Sequence, residues 1–307
     1  MSKVKTLINL FGNYKDIPYL ILMKYPRLIR DDRKYIEYVW KHRMNYPLNL
    51  DNPQRYNEKL QWIKLYDHRD IYTTMVDKCE AKKYVAPIIG EQYIIPTLAV
   101  WDKVEDINTD NLPNQFVLKT THDSGGVVIC HDKTKFDLEK AKKKLERSLQ
   151  RDFYILAREW PYKNVHRRII AEQYMEDNET KELRDYKFFC FDGVPKALFI
   201  ATDRQNREEP YFDFFDMDFN HLDMRHGHPN APHLPEKPKC FEEMKVLAAK
   251  LSKGYPHIRV DLYEVNGKVY FGELTLFHHT GMVNFEPQKW DDIFGSWLDL
   301  SQIKKTV

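Results

Sequence analysis

The sequence predicts an α+β protein built mostly from antiparallel hairpins, and three observations carry that expectation. The first 70 residues are helical in pattern and polar-aromatic, with no strand-like alternation. From Ile94 the texture changes to short β-branched runs separated by turns, YIIPTLAV, FVLKTT and GVVIC. Two later pairs of apolar runs surround Asp192-Gly193 and Asn266-Gly267, dipeptides that favour tight hairpins.

The elements follow in order. DLEKAKKKLERSLQ predicts a helix with Asp137 as N-cap and Leu138, Ala141, Leu145 and Leu149 on one face. RRIIAEQYM and DYKFFCFDGVPKALFIA then read as strands. An irregular stretch rich in Asp and His spans residues 203–233. A helix comes next, with Phe241, Met244, Leu247, Ala248 and Leu251 as its apolar stripe and Gly254 as its stop. IRVDLYEVNGKVYFGELTLFHHTG supplies the last hairpin, and no repeat or low-complexity segment interrupts the chain.

Composition narrows the function. A chain of 307 residues, 42% hydrophobic and 31% charged, is that of an ordinary globular enzyme of one large domain or two lobes. A net charge of +2, without RNP-like or zinc-finger spacing, gives no reason to expect a nucleic-acid partner. Cys79, Cys130, Cys190 and Cys240 are widely spaced and form no CxxC, which suits free thiols in a reducing compartment. The N-terminal apolar run at residues 19–23 is far shorter than the roughly 20 residues of a membrane span. A cytoplasmic protein is expected. Residues 1–50 hold ten Lys/Arg against four Asp/Glu, a bias that suits an anionic membrane surface or a solvated helical face.

The stretch FVLKTTHDSGGVVICHDK carries the first chemical signal. Lys119 closes an apolar strand, where an ammonium is costly unless an anion meets it. Ser124, Gly125 and Gly126 follow in a flexible turn whose backbone can approach a ligand closely. Walker A and Rossmann glycine patterns are absent, and the residues after the loop are strand formers. A protein-kinase lysine follows its glycine loop, whereas here the lysine precedes it. That order suits a hairpin folded over a nucleotide with the lysine beneath its phosphates. A surface hairpin with a snorkelling lysine would look the same in isolation.

The last hairpin adds a metal-binding expectation. A nucleoside triphosphate needs Mg²⁺, a hard cation bound by oxygen ligands. A two-residue Asn-Gly turn pairing 265 with 268 would place Asp261 and Glu273 on opposite faces, because side chains alternate along a strand. A three-residue turn with Gly267 in a G1 bulge pairs 264 with 268 and brings the two carboxylates diagonally onto one face. The bulged turn is therefore expected, with Arg259 sharing the parity of Asp261.

In order and spacing, YNEKLQWIKLYD, VDKCEAKKYV, IGEQYIIPTLAV, FVLKTTHDSGG, DYKFFCFDG and RVDLYEVNGKVYFGELT resemble the TupA-like ATP-grasp proteins of bacterial surface-polysaccharide gene clusters. The resemblance covers roughly residues 45–300. It implies an ATP-grasp fold, two antiparallel-sheet lobes gripping a nucleotide after a helical N-terminal region. The implied layout is 1–70 helical, 71–171 with the flap, and 172–307 with the Mg²⁺-binding hairpin. Lys119 and Lys78, the latter on the helix before the flap domain, would hold phosphates. Ser124, Gly125 and Gly126 would form the flap. Glu172, Gln173, Tyr174 and Met175 resemble the adenine-reading hinge, with Glu172 toward the exocyclic amine. Asp185 and Lys187 alternate onto one strand face and would meet ribose or phosphate, or pair with each other. Asp261 and Glu273 look like Mg²⁺ ligands. Thr275 stands where many such enzymes carry asparagine, leaving the third ligand open. His278 and His279 would lie at the acceptor site or serve loop packing.

The implied activity is ATP-dependent ligation of a carboxylate and an amine through an acylphosphate, with Arg259 and Lys119 catalytic and no enzyme nucleophile. The implied substrates are a carboxylate-bearing sugar or sugar nucleotide and an amine, with peripheral contact to membrane-bound machinery. Two rival classes need weighing. A glycosyltransferase would use Asp216-Met-Asp218 as a DxD string, but no nucleotide-binding βαβ unit precedes it. A non-catalytic nucleotide-binding protein should have lost Arg259 or a metal carboxylate, and neither is lost. Zinc is a weaker thought: His221, His226, His228 and His233 include a pair at x+2 spacing but no defined carboxylate or cysteine partner.

Overall fold

The computed structural model describes residues 17–181, 183–203 and 209–303. Three helices, α1 (Ile17–Lys24), α2 (Asp32–Arg43) and α3 (Tyr56–Tyr66), precede the sheets. Asp31 caps α2 by accepting from the Lys34 N–H, and that helix buries Tyr35, Ile36, Val39 and Trp40 against Leu22 and Met282. Residues 1–16 of the expected helical region lie outside the described residues. Two short helices, α4 (Ile71–Val76) and α5 (Glu80–Ile89), lead to the first sheet.

That sheet has β1 (Thr97–Trp101), β2 (Phe116–Thr120), β3 (Val127–Cys130) and β4 (Ile169–Gln173) in the antiparallel order β1-β4-β2-β3. The boundary expected at 171/172 falls inside β4. Helix α6 (Leu138–Leu149) covers one face of this sheet. Its N-cap is Asp137, which accepts from the Lys140 N–H, and it buries Ala141 and Leu145 as its periodicity requires. Phe116, Leu118, Cys130, Leu145, Ile169 and Ala171 form the core beneath. A short helix α7 (Phe153–Ala157) links α6 to β4.

The second sheet contains β5 (Asp185–Phe191), β6 (Val194–Thr202), β7 (Tyr211–Phe215), β9 (Ile258–Val265) and β10 (Lys268–Thr275) in the antiparallel order β10-β9-β5-β6-β7. The Asp192-Gly193 turn joins β5 to β6 with both residues at positive φ, as a two-residue hairpin demands. Helix α8 (Phe241–Ser252) lays its whole expected stripe onto this sheet, and Gly254 ends it at φ +83°. A two-stranded ribbon pairs β8 (Arg225–His226) with β11 (Phe285–Glu286), and α9 (Lys289–Trp297) packs against α3. Among the described residues, no helix is long and apolar enough to cross a membrane.

Cys79, Cys130, Cys190 and Cys240 are all free, and the first three are buried. Two antiparallel sheets with helices packed on them match the expected α+β architecture.

Candidate nucleotide site

A cleft of about 290 Å³ opens between the two sheets. Alternation along β2 sends Phe116, Leu118 and Thr120 into the core and turns Val117 and Lys119 toward the opening. Ser124, Val127 and Ile129 join them from the flap side. The other wall carries Asp185, Lys187, Ala201, Tyr263, Gly272 and Glu273. Residues 172–175, where the chain leaves β4, also line the cleft.

The flap is built around Asp123. Its buried carboxylate accepts from Thr120 Oγ1 (2.6 Å), Ser148 Oγ (2.5 Å) and the Gly126 N–H (3.0 Å). Burial alone would raise the Asp123 pKa, and these donors outweigh it and lower the value. Ser124 and Gly125 are left exposed at the tip. Gly126 has no room for a side chain: a Cβ would lie 1.9 Å from Thr120 Oγ1 and 2.3 Å from Ser148 Oγ. Gly126→Ala is therefore expected to lower stability by about 1–3 kcal/mol in urea titrations. At Gly125 the one tight contact of an added Cβ is with the flexible, exposed Arg151, so Gly125→Ala should cost less. Equal effects at the two glycines would remove the clamp.

Lys119 meets its anion inside the protein. Its Nζ lies 2.5 Å from one oxygen of Glu172, and Lys82 Nζ lies 2.5 Å from the other. Burial would raise the Glu172 pKa, but the charges of Lys119 and Lys82 hold it down at about 2. Glu172 is thus paired with two lysines, where the resemblance implied a place beside an exocyclic amine, and it still lines the cleft. Lys82 was not singled out from the sequence. It is buried on α5, with further bonds to the Ile95 carbonyl (2.8 Å) and Thr97 Oγ1 (3.0 Å).

Lys78 lies in the turn between α4 and α5 rather than on a helix. Its ammonium donates to the Asp123 carbonyl (2.6 Å) and lies 3.9 Å from Glu273 on the opposite wall. Gln173 ends β4, and its N–H donates to the Pro96 carbonyl (3.1 Å). Tyr174 and Met175 follow it along the cleft, and the Tyr174 hydroxyl donates to Glu176 (2.6 Å).

The β9–β10 hairpin corrects a second expectation. Lys268 pairs with Val265 across a two-residue turn, with Asn266 and Gly267 both at positive φ, so the three-residue bulged turn is absent. The register then shifts between Phe271 and Glu273, where Gly272 is the extra residue. A Cβ on Gly272 would sit 2.9 Å from the Asp261 carbonyl oxygen. After the bulge Glu273 pairs directly with Asp261, and Thr275 with Arg259. All four side chains share one face, as required, by a different device.

Arg259 organises that face. Its Nε and Nη2 donate to the two oxygens of Asp261 (2.7 and 2.8 Å). Nη2 also reaches Thr275 Oγ1 (2.9 Å) and Glu273 (3.4 Å), and Nη1 donates to His278 Nδ1 (2.7 Å). Lys187 pairs with Asp261 from β5 and stands 3.4 Å from Asp185. Asp261 is fully buried between these two cations, whereas the Glu273 side chain is 37% exposed in the cleft.

Beyond Arg259 lies the loop of His278 and His279. His279 and Thr280 are both left-handed, a costly conformation for side-chain-bearing residues. Lys64 Nζ holds Thr280 through its carbonyl and hydroxyl (both 2.7 Å), and Gln61 Nε2 reaches the carbonyls of Thr280 (3.0 Å) and Gly281 (2.8 Å). Burial pushes the pKa of His278 well down and that of His279 to about 4, so both rings are neutral near pH 7. The loop histidines that the sequence offered only weakly for zinc are divided in the structure. His221 lies 3.6 Å from Asp213, while His226 joins His278 and His279. Asp216 is occupied by turn chemistry, accepting from the backbone of Asp218 and Asn220.

Solved structures with similar chain traces include D-alanine–D-alanine ligase from Bacillus anthracis complexed with ATP (18% identity, 66% of this chain and 55% of that one, TM-score 0.40). Others are D-alanine–D-alanine ligase from Helicobacter pylori (13%, 73% and 61%, TM-score 0.41) and L-amino acid ligase from Bacillus licheniformis (15%, 68% and 43%, TM-score 0.38). The chain thus spans less than two thirds of each. No curated protein matches it in sequence. The model of the family described as TupA-like ATPgrasp matches residues 58–299, and the chain belongs to that family.

Proposed function

We propose that this protein is an ATP-dependent carboxylate–amine ligase. The carrying observation is one cleft with Lys119 and Ser124 of the flap on one wall and Glu273 on the other, where Glu273 pairs with Asp261 on the strand face that Arg259 and Thr275 share. In the proposed layout residues 71–171, with the end of β4, supply the flap wall and the described residues that follow supply the hairpin wall, behind the helices of residues 17–70. The apolar part of the cleft, Val117, Ile129, Met175 and Tyr263, suits a purine ring beside residues 172–175. Lys119 and Lys78 offset phosphate charge from the flap side, and the exposed amides of Ser124 and Gly125 close over it.

The all-oxygen set of Asp261, Glu273 and Thr275 fits Mg²⁺, a hard cation. When bound, that ion neutralises phosphate charge. Glu273 faces the cleft, while Asp261 would join by giving up part of its pairing with Lys187. The substrate carboxylate takes the γ-phosphoryl group and ADP leaves. The amine then attacks the acyl carbon, loses a proton and expels inorganic phosphate. Arg259 stabilises the phosphoryl oxygens in both steps, and Lys187 keeps Asp261 oriented. Family membership supports a surface-polysaccharide precursor, such as a uronic-acid sugar or sugar nucleotide, as the carboxylate. It also supports a cytoplasmic enzyme working at the periphery of membrane-bound machinery.

The test is thermal stabilisation of wild type and Lys119→Ala by Mg-ATP, beside UDP-sugars with Mn²⁺. A ligand that binds only the folded state raises Tm by mass action. A Mg-ATP shift that vanishes in the variant is expected. A shift with a UDP-sugar alone would replace the ligase by a glycosyltransferase.

A further inference from the structure

We propose that His226, His278 and His279 form a binding site for a transition metal of the zinc class, next to Arg259 and separate from the Mg²⁺ ligands. One ligand atom from each residue lies within 4.8 Å of those of the other two. His226 and His278 are 0% and 1% exposed, and His279 is half-buried. His226 Nδ1, His278 Nε2 and His279 Nε2 are buried without a hydrogen-bond partner. Orphaned buried polar atoms cost about 1–3 kcal/mol each, and three in one cluster point to an absent common partner.

For His226 and His278 a hydrogen bond at the other ring nitrogen settles which nitrogen carries the lone pair. His226 Nε2 donates to the Val283 carbonyl (3.0 Å), leaving its lone pair on Nδ1. His279 Nε2 is buried without a partner on the same side. An outer N–H fixed on a backbone carbonyl, as in His226, is the usual support of a metal-binding imidazole. His278 differs. Its Nδ1 accepts from Arg259 Nη1 (2.7 Å), and arginine only donates, so the ring proton sits on Nε2. His278 becomes a ligand only when Arg259 lets go and the proton moves to Nδ1. Metal and Arg259 therefore compete for this ring.

An all-imidazole set selects zinc-class ions over Mg²⁺ or Ca²⁺. Zn–N bonds of about 2.0–2.1 Å place neighbouring ligands about 3.4 Å apart, so ligand atoms within 4.8 Å of one another need to close by up to about 1.4 Å. The frame is held in place: Lys64 and Gln61 fix the loop, and Gly227 is the residue that leaves room for His279, whose Nε2 lies 2.8 Å from where a Cβ would stand.

The experiment is isothermal titration of ZnCl₂ into the full chain without nucleotide, with circular dichroism of every variant. One ion per chain is expected. His226→Gln and His279→Asn should each weaken binding at least tenfold, asparagine being tolerant of the left-handed backbone. His278→Asn should cost less than either, because its contribution is offset by the lost bond from Arg259. No uptake by wild type, or equal uptake in the His226 and His279 variants, would overturn the site. A larger loss at His278 than at the other two would overturn the competition. Because no nucleotide is used, the result stands apart from the ligase reading.

Discussion

Arg259→Met is expected to lower ATP turnover by about 10²–10³-fold, the loss seen when one preorganised donor is taken from a developing negative charge. The effect should fall on kcat, because in the proposed mechanism the guanidinium acts on phosphoryl oxygens in flight more than on bound nucleotide. Mg-ATP should therefore still raise the Tm of the variant. Stability should drop as well, since breaking a buried ion pair costs about 3–5 kcal/mol when the survivor is stranded. Here Lys187 still faces Asp261, so a loss toward the lower end is expected. Arg259→Lys should not rescue turnover. A single ammonium lacks the planar fork that serves both Asp261 oxygens while reaching Thr275 and His278. Turnover within tenfold of wild type in Arg259→Met would take this residue out of the reaction.

The β9–β10 hairpin shows what could be read in advance and what could not. Parity requires one extra residue between Asp261 and Glu273 if both carboxylates are to share a face. That requirement follows from spacing alone, and it holds. Its location does not follow, because Gly267 and Gly272 are both free to take it. The structure puts the bulge at Gly272, where a Cβ would press on the Asp261 carbonyl, and leaves the Asn-Gly turn in its preferred two-residue form. The same limit applies to Lys119. Its need for an anion was legible, but its partner lies 53 residues away and shares it with Lys82, which sits beside an equally basic Lys83 in sequence. Helices α6 and α8 were legible because 3.6-residue periodicity is local. The meeting of His226 with His278 was not, since a ribbon from residues 225–226 to 285–286 has to form first.

Glu172→Ala should be the most destabilising change in the cleft, at about 3–5 kcal/mol, because it leaves Lys82 and Lys119 facing each other without a counter-charge. The side chain of Lys82 is only 9% exposed, so water cannot substitute well. Its pKa is already lowered by burial, which Glu172 opposes, and losing the carboxylate pushes it further down. Glu172→Gln removes the charge and keeps the shape, and its pH dependence separates electrostatics from packing. The carboxylate has a folded pKa of about 2 against an ordinary 4.5. A depressed folded value means that the stabilisation is present above pH 4.5 and is lost as the pH falls toward 2, where the folded group also protonates. The gap corresponds to about 3 kcal/mol. Urea titrations between pH 7 and pH 2.5 should show wild type losing stability more steeply than Glu172→Gln, and the two curves converging in acid. Parallel curves would mean that Glu172 carries no ionic contribution. Lys119 would then be held by packing alone. With the pair intact, Lys119 is already positioned beside its carboxylate, and that carboxylate lies one step from residues 173–175 that line the same cleft.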